Sequence, residues 1–207
     1  RSSMSLELYL AYLAATVVFT LVPGPTVALV VANGLTHGTR AGLLNVAGTQ
    51  LALTVMMSIL VVGLASIVET MGFWFDWVRL AGAAYLIWLG WKLLRSTGAI
   101  DAPGAAPRPR GGFLLQGFLV MLSNPKALIF FGAFIPQFMN PDGDYLGQIV
   151  LLCATAMAVA LVTDSMYAIL TGRARALFSR RRVRLMSQIS GATLIGGGVW
   201  LALTRSR

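Results

Sequence analysis

Six nearly unbroken apolar stretches, each long enough to cross a bilayer as a helix, alternate with short polar connections along this chain. They run from Leu6 to about Val31, Ala41 to about Val68, Phe73 to about Leu94, Phe113 to Phe138, Tyr145 to about Leu170 and Leu185 to Leu203. Two of them are interrupted. The fourth carries Ser123, Asn124, Pro125 and Lys126 near its middle. Pro125 has no N–H and its ring clashes one turn back, so the carbonyl near Met121 is expected to lose its helical partner. Lipid holds no water to replace it. A lysine at a helix centre costs about 2.5–3.5 kcal/mol on insertion scales. A break and a cation at one depth point to a broken helix lining a polar cavity; the plainer alternative is a proline kink with a snorkelling lysine. The first stretch has its own break at Val22-Pro23-Gly24-Pro25, where two prolines around a glycine cannot continue a regular helix.

The other stretches add fewer polar positions. Asn33 to Arg40 reads as a short, turn-rich connection, with His37 a plain loop residue. The second span holds Asn45, Thr49 and Gln50, and Gly48 with Ala52 offers a close approach to another helix. Gln50 is a ligand contact or interhelical glue. Phe73, Trp74, Phe75 and Trp77 at one end of the third span and Trp88 and Trp91 at the other fit the two interfaces of a bilayer. Asp76 and Arg79, three apart on one face, form a surface pair. Residues 95–112, rich in Pro, Gly, Ala and Arg, form the longest connection. Asn140 to Asp144 is an acidic turn, and Arg173 to Arg184 an arginine-rich connection. The fifth span holds one buried-looking charge, Asp164, a functional position by default unless a static ion pair neutralises it. Glycines 191, 196, 197 and 198 of the sixth span read as packing contacts.

Composition settles the class. The chain has 207 residues, 57% hydrophobic and 11% charged, and its mean hydropathy is +0.77, so it reads as an all-α integral membrane protein forming one domain over residues 1–207. Its net charge of +9 would suit nucleic acid, but the arginines gather between spans, where they signal topology and attract anionic lipid. One side collects Arg40, Lys92, Arg95, Arg108, Arg110, Arg173, Arg175, Arg180, Arg181, Arg182 and Arg184 against Asp101 alone. The other mixes Arg1, Arg79, Arg205 and Arg207 with Glu7, Glu69, Asp76, Asp142 and Asp144. The positive-inside rule then puts both termini outside the cytoplasm of a bacterial inner-membrane protein. Arg1-Ser2-Ser3 ahead of Met4 is left out of the fold reasoning; the first span is too long for a signal-peptide core and is expected to be retained. Cys153 is alone, which excludes an intrachain disulfide.

Three spans separate the two breaks, so residues 6–94 and 113–203 form two inverted three-helix repeats joined by the cytoplasmic linker 95–112. Interrupted segments at matching places in two halves are the sequence mark of a transport site near the midplane. Pro23–Pro25, Gln50, Lys126 and Asp164 each lie roughly 8–13 residues from the cytoplasmic edge, about 12–20 Å deep, compatible with one cavity.

At these residues the chain resembles the LysE/RhtB amino-acid exporters of bacterial inner membranes. The matching pieces are Pro23-Gly24-Pro25, His37-Gly38-Thr39-Arg40-Ala41-Gly42, Gly82 to Gly90 (GAAYLIWLG), Asn124-Pro125-Lys126 and Pro136-Gln137-Phe138. The resemblance implies efflux of amino acids or close derivatives, of homoserine, homoserine lactone, threonine or lysine type, driven by the proton-motive force. It carries the broken-helix signature onto Pro23, Gly24, Pro25, Asn124, Pro125 and Lys126. In the family's pattern the fifth-span acid falls about a turn earlier, where this chain has Ala160, so Asp164 would serve from a shifted position.

The chemistry agrees. Helix ends at a break offer N–H groups, Thr26 among the residues presenting them, to a carboxylate and carbonyls to an ammonium. Lys126 can hold the carboxylate, and Asp164 the ammonium or a coupling proton. An enzyme would need a nucleophile–base pair or metal ligands; one His and one Cys far apart supply neither, and Pro125 separates Ser123 from Lys126. A metal-ion exporter or passive small-solute channel is the alternative, though metal transport favours clustered ligands and Asp164 stands alone. No cofactor, resident metal or nucleic acid is expected; the partners are an amino acid, protons and lipid, with a homo-oligomer left open.

Overall fold

Ser5 opens the first helix: its hydroxyl accepts the N–H of Leu8 at 3.3 Å, pairing one of the donors that a helix N-terminus leaves free. The computed structural model describes residues 4–95, 108–140, 143–177 and 179–203, and among them there is helix but no β-strand. The α-helices are α1 (Leu6–Leu21), α2 (Pro25–His37), α3 (Thr39–Leu94), α4 (Gly112–Leu122), α5 (Pro125–Ile129), α6 (Tyr145–Ala174) and α7 (Arg180–Leu203). After α5 the chain widens into a π-helical turn, Phe130–Phe134, then tightens into a 3-10 turn, Ile135–Phe138.

Both expected breaks are present. α1 and α2 meet at 50°, and α4 stops at Leu122 before α5 starts at Pro125. Each of Pro25 and Pro125 stands first in its helix, where a missing N–H costs nothing and the fixed φ is already helical.

Two connections are shorter than expected. Asn33 to His37 continue α2, and Gly38 makes the turn with φ 90°, a conformation that favours glycine. The polar residues that suggested a loop instead form a buried amide seam. Asn33 Nδ2 donates to Asn45 Oδ1 at 2.8 Å and Gln116 Oε1 at 2.9 Å, and Asn45 Nδ2 donates to the Phe113 carbonyl at 2.6 Å. Interhelical amide bonds of this kind tie α2, α3 and α4 together. Likewise α6 runs on to Ala174 and α7 begins at Arg180, because arginine is a good helix former and these residues need not turn.

Where two spans parted near residues 68–73 were expected, the helical pattern runs unbroken from Thr39 to Leu94. No proline interrupts that stretch. Its ends nevertheless cannot lie on one line. Gly48 is pressed against the α4 backbone at Leu114 and Phe118, and Gly82 lies against Ser123 just past the other end of α4. The 34 steps from Gly48 to Gly82 would span about 51 Å of straight helix, whereas the 11 residues of α4 span about 16 Å. The chain therefore doubles back between Leu60 and Leu80, so that both legs reach α4. The second leg packs on α7, where a Cβ on Gly90 or Gly191 would meet the other's carbonyl at 2.5 or 2.6 Å.

Among the described residues, Thr39–Leu60, Tyr145–Leu177 and Arg181–Leu203 are long and apolar enough to cross a bilayer, and α1 with α2 passes as one broken span. Leu51, Ile59, Val150, Val162 and Leu170 stand exposed along these helices, an apolar surface that suits lipid. Trp88 and Trp91 face outward too, with Lys92 Nζ 5.5 Å from the Trp88 ring and the Arg95 guanidinium 4.6 Å from Trp91, as at a headgroup boundary. This is a multi-pass membrane protein. The side chains of the Phe73–Phe75 girdle and of the Asp76–Arg79 pair, linker residues 96–107 and Asp142 lie outside what the structure describes.

Candidate functional site

Pro25 cannot donate to the carbonyl of Leu21, four residues back, so α1 ends with acceptors to satisfy. The Leu21 carbonyl accepts the hydroxyl of Tyr167, from α6, at 3.1 Å. The Val22 carbonyl accepts Lys126 Nζ, from α5. The second break is satisfied locally instead. Pro125 withholds a donor from Met121, whose carbonyl takes the N–H of Asn124 at 3.1 Å. Asn124 then caps α5, its Oδ1 accepting the Lys126 N–H at 3.0 Å, and its Nδ2 reaches Thr26 Oγ1 at 3.5 Å. The first break is thus held by side chains from the second half of the chain.

Between the breaks lies a cavity of about 70 Å³, roomier than one water needs. Thr26, Asn124, Lys126 and Asp164 supply its polar lining with Thr20; Phe19, Leu53, Met121 and Phe130 are among its apolar walls. Asp164 is only 7% exposed and Lys126 half-buried, yet among the described residues no ion pair within 4 Å joins them. Ala160 and Asp164 both line the cavity. They are four residues apart on α6, so an acid moved by one turn stays on the same face. From the Phe19 and Phe130 wall of the cavity an aromatic column runs toward the N-terminal part of α1. Ring centroids are 5.0 Å apart for Phe19 and Phe130, 4.8 Å for Phe130 and Phe134, 5.0 Å for Phe134 and Phe138, and 5.2 Å for Phe138 and Tyr12.

Of the residues expected at a site, Thr26, Asn124, Lys126 and Asp164 come together. Gly24 packs against the lysine stem; a Cβ there would lie 3.0 Å from Lys126 Cδ. Pro23 is exposed in the break. Pro25 and Pro125 meet across α7, where a Cβ on Gly197 would lie 3.0 Å from Pro25 Cγ and 3.7 Å from Pro125 Cγ. Gln50 is not in the lining: its Nε2 donates to the Met157 carbonyl at 3.4 Å, joining α3 to α6 as glue. Phe19, Tyr167 and Gly197 were not foreseen as site residues, although Tyr167 sits three residues from Asp164, on one face. Gly197→Leu is expected to push the two proline breaks apart and lower the thermal midpoint. Gly196→Leu, where a Cβ meets nothing within 4 Å, should be tolerated; equal thermal midpoints for the two would refute the wedge.

Residues 17–205, which include both breaks and every residue of the cavity, match the family described as LysE type translocator. The chain belongs to this family. As a LysE type translocator it is a transport protein, not an enzyme. Its relatives include a homoserine/homoserine lactone efflux protein of Salmonella typhimurium, 31% identical with 98% of this chain and 99% of the relative covered. A leucine efflux protein of Klebsiella pneumoniae is 30% identical over 96% of both chains. An uncharacterized membrane protein of Vibrio cholerae is 30% identical over 98% of this chain and 100% of its own length. No solved structure matches the chain.

Proposed function

We propose that this translocator exports amino acids or close derivatives from the cytoplasm across the bacterial inner membrane, coupled to the proton-motive force. The observation that carries the reading is the meeting of two proline-broken helices at one cavity holding a cation and a buried acid. Thr26 and Lys126 follow the first prolines of α2 and α5, and both prolines rest on Gly197, which fits six spans in two inverted repeats, 6–94 and 113–203, about linker 95–112. The substrate carboxylate goes to Lys126 and the N–H groups near Thr26 and Asn124. The ammonium goes to the Val22 carbonyl and Asp164, which also relays the proton. The apolar remainder suits the small neutral side chains named in the relatives, homoserine and leucine.

With both termini outside the cytoplasm, the aromatic column lies between the cavity and the exterior. In a Cys153→Ala background, a cysteine at Ser179 should react with an impermeant thiol reagent only from the cytoplasmic side, and one at Gly143 from outside. Labelling of position 179 in intact cells overturns the orientation. The function itself is tested by counterflow of labelled amino acids in proteoliposomes, with and without a pH gradient. Trans-acceleration by unlabelled substrate is expected. Flux without exchange would mean a channel, and no flux across a full amino-acid panel would end the proposal.

A further inference from the structure

We propose that Lys126 is a tethered stand-in for substrate: in the empty protein its ammonium fills the subsite that receives the substrate's amino group, built by the Val22 carbonyl, the Phe19 ring and Asp164. The inference rests on the amino-acid reading above and names the atoms that make the site select amino acids over simple amines.

Several groups that attract a cation converge at this point. The Val22 carbonyl lies at the C-terminal end of α1, the negative end of its dipole, and the break leaves it without a helical partner. Lys126 Nζ donates to it and sits 4.8 Å from the centroid of the Phe19 ring, within cation–π range. Asp164 lines the same cavity, nine-tenths buried, in no ion pair among the described residues. A buried carboxyl that lines a cavity without an ion pair within 4 Å retains the capacity to take an arriving ammonium beside the tethered one.

The lysine can leave. Its four-carbon stem is flexible and passes Gly24, where a side chain would crowd it. An amino acid brings both charges. Its carboxylate draws Nζ off the Val22 carbonyl, and its own ammonium takes the place vacated. A primary amine has nothing with which to draw the lysine away, so it competes against a cation fixed at high local concentration. The apolar walls alone would admit such an amine; the tethered lysine keeps it out.

Calorimetric titration of the full chain in lipid nanodiscs tests this, with leucine against isopentylamine and homoserine against 3-aminopropanol, each amine being the amino acid without its carboxylate. Lys126→Gln is expected to bind an amine at least about tenfold more tightly than the wild type does, and its amino acid at least about tenfold more weakly, since a charged hydrogen bond is lost on one side and a competitor on the other. Lys126→Arg should keep amines out. Gly24→Ala crowds the lysine stem while retaining the charge, and should raise amine affinity in the same direction. Amine affinity that does not rise in either Lys126→Gln or Gly24→Ala, while the wild type binds an amino acid, overturns the subsite alone. A wild type that binds no member of an amino-acid panel overturns the exporter reading and this inference together.

Discussion

Replacing Pro25 and Pro125 together by alanine is expected to leave an inserted, folded protein that exports almost nothing. Alanine 25 regains an N–H that can reach the Leu21 carbonyl, displacing the Tyr167 hydroxyl now bonded there. Alanine 125 regains one that competes with Asn124 for the Met121 carbonyl. Both helix ends then turn their free groups inward along the helix instead of toward the cavity. The geometry that places Lys126 Nζ on the Val22 carbonyl goes with them. Hydrogen bonds to charged groups are worth about 1.5–3 kcal/mol, so losing one such contact to substrate lowers export by roughly ten- to hundredfold. Folding suffers less, because alanine is the best helix former and a regular helix satisfies itself. The check is the export rate in proteoliposomes beside the thermal midpoint and gel-filtration profile of the same preparation. Full activity in the double variant would reduce the two breaks to ordinary kinks.

The breaks were legible because they are written in covalent chemistry. A proline past the first turn of a helix interrupts it, so two such residues within apolar stretches marked both breaks before any folding was known. Lys126 and Asp164, at similar counts from the charged connections, do line one cavity. Azimuth was not legible. Gln50 has a similar count but is outside the lining, and spends its amide on Met157. Asn33 carried a polar signal that was misread as a turn, because a buried amide seam and a loop share the same residue types until the partners, Asn45 and Gln116, are known. Gly197 was read as a packing contact, and Tyr167 and Phe19 were not singled out. Their role comes from what lies across from them, which one chain's periodicity does not encode. The doubling-back of α3 falls where the hydrophobic pattern parted the second and third spans; what the pattern did not show is that the helix would run on through the join, which no proline interrupts.

Neutralising both buried charges, by Lys126→Met with Asp164→Leu, is expected to rescue nothing. Two opposite charges at one depth would ordinarily neutralise each other as an ion pair, and a static pair has a known signature. Removing one partner strands a buried charge and is costly, by about 3–5 kcal/mol, whereas removing both relieves it. The arrangement here differs. Lys126 Nζ turns to the Val22 carbonyl and the Phe19 ring, and Asp164 faces the cavity with no ion pair to it among the described residues. On the proposed reading the two groups have different tasks: the lysine serves a carboxylate, and the acid serves an ammonium and a proton in turn. Each single variant should therefore lose gradient-driven export, and the double variant should lose it as completely, even if its thermal midpoint recovers. The comparison is made on initial rates with an imposed pH gradient, for all three variants beside the wild type at equal protein per vesicle. Return of gradient-driven export in the double variant would mean that the two charges exist only to cancel each other, and that the proton and the substrate are handled elsewhere.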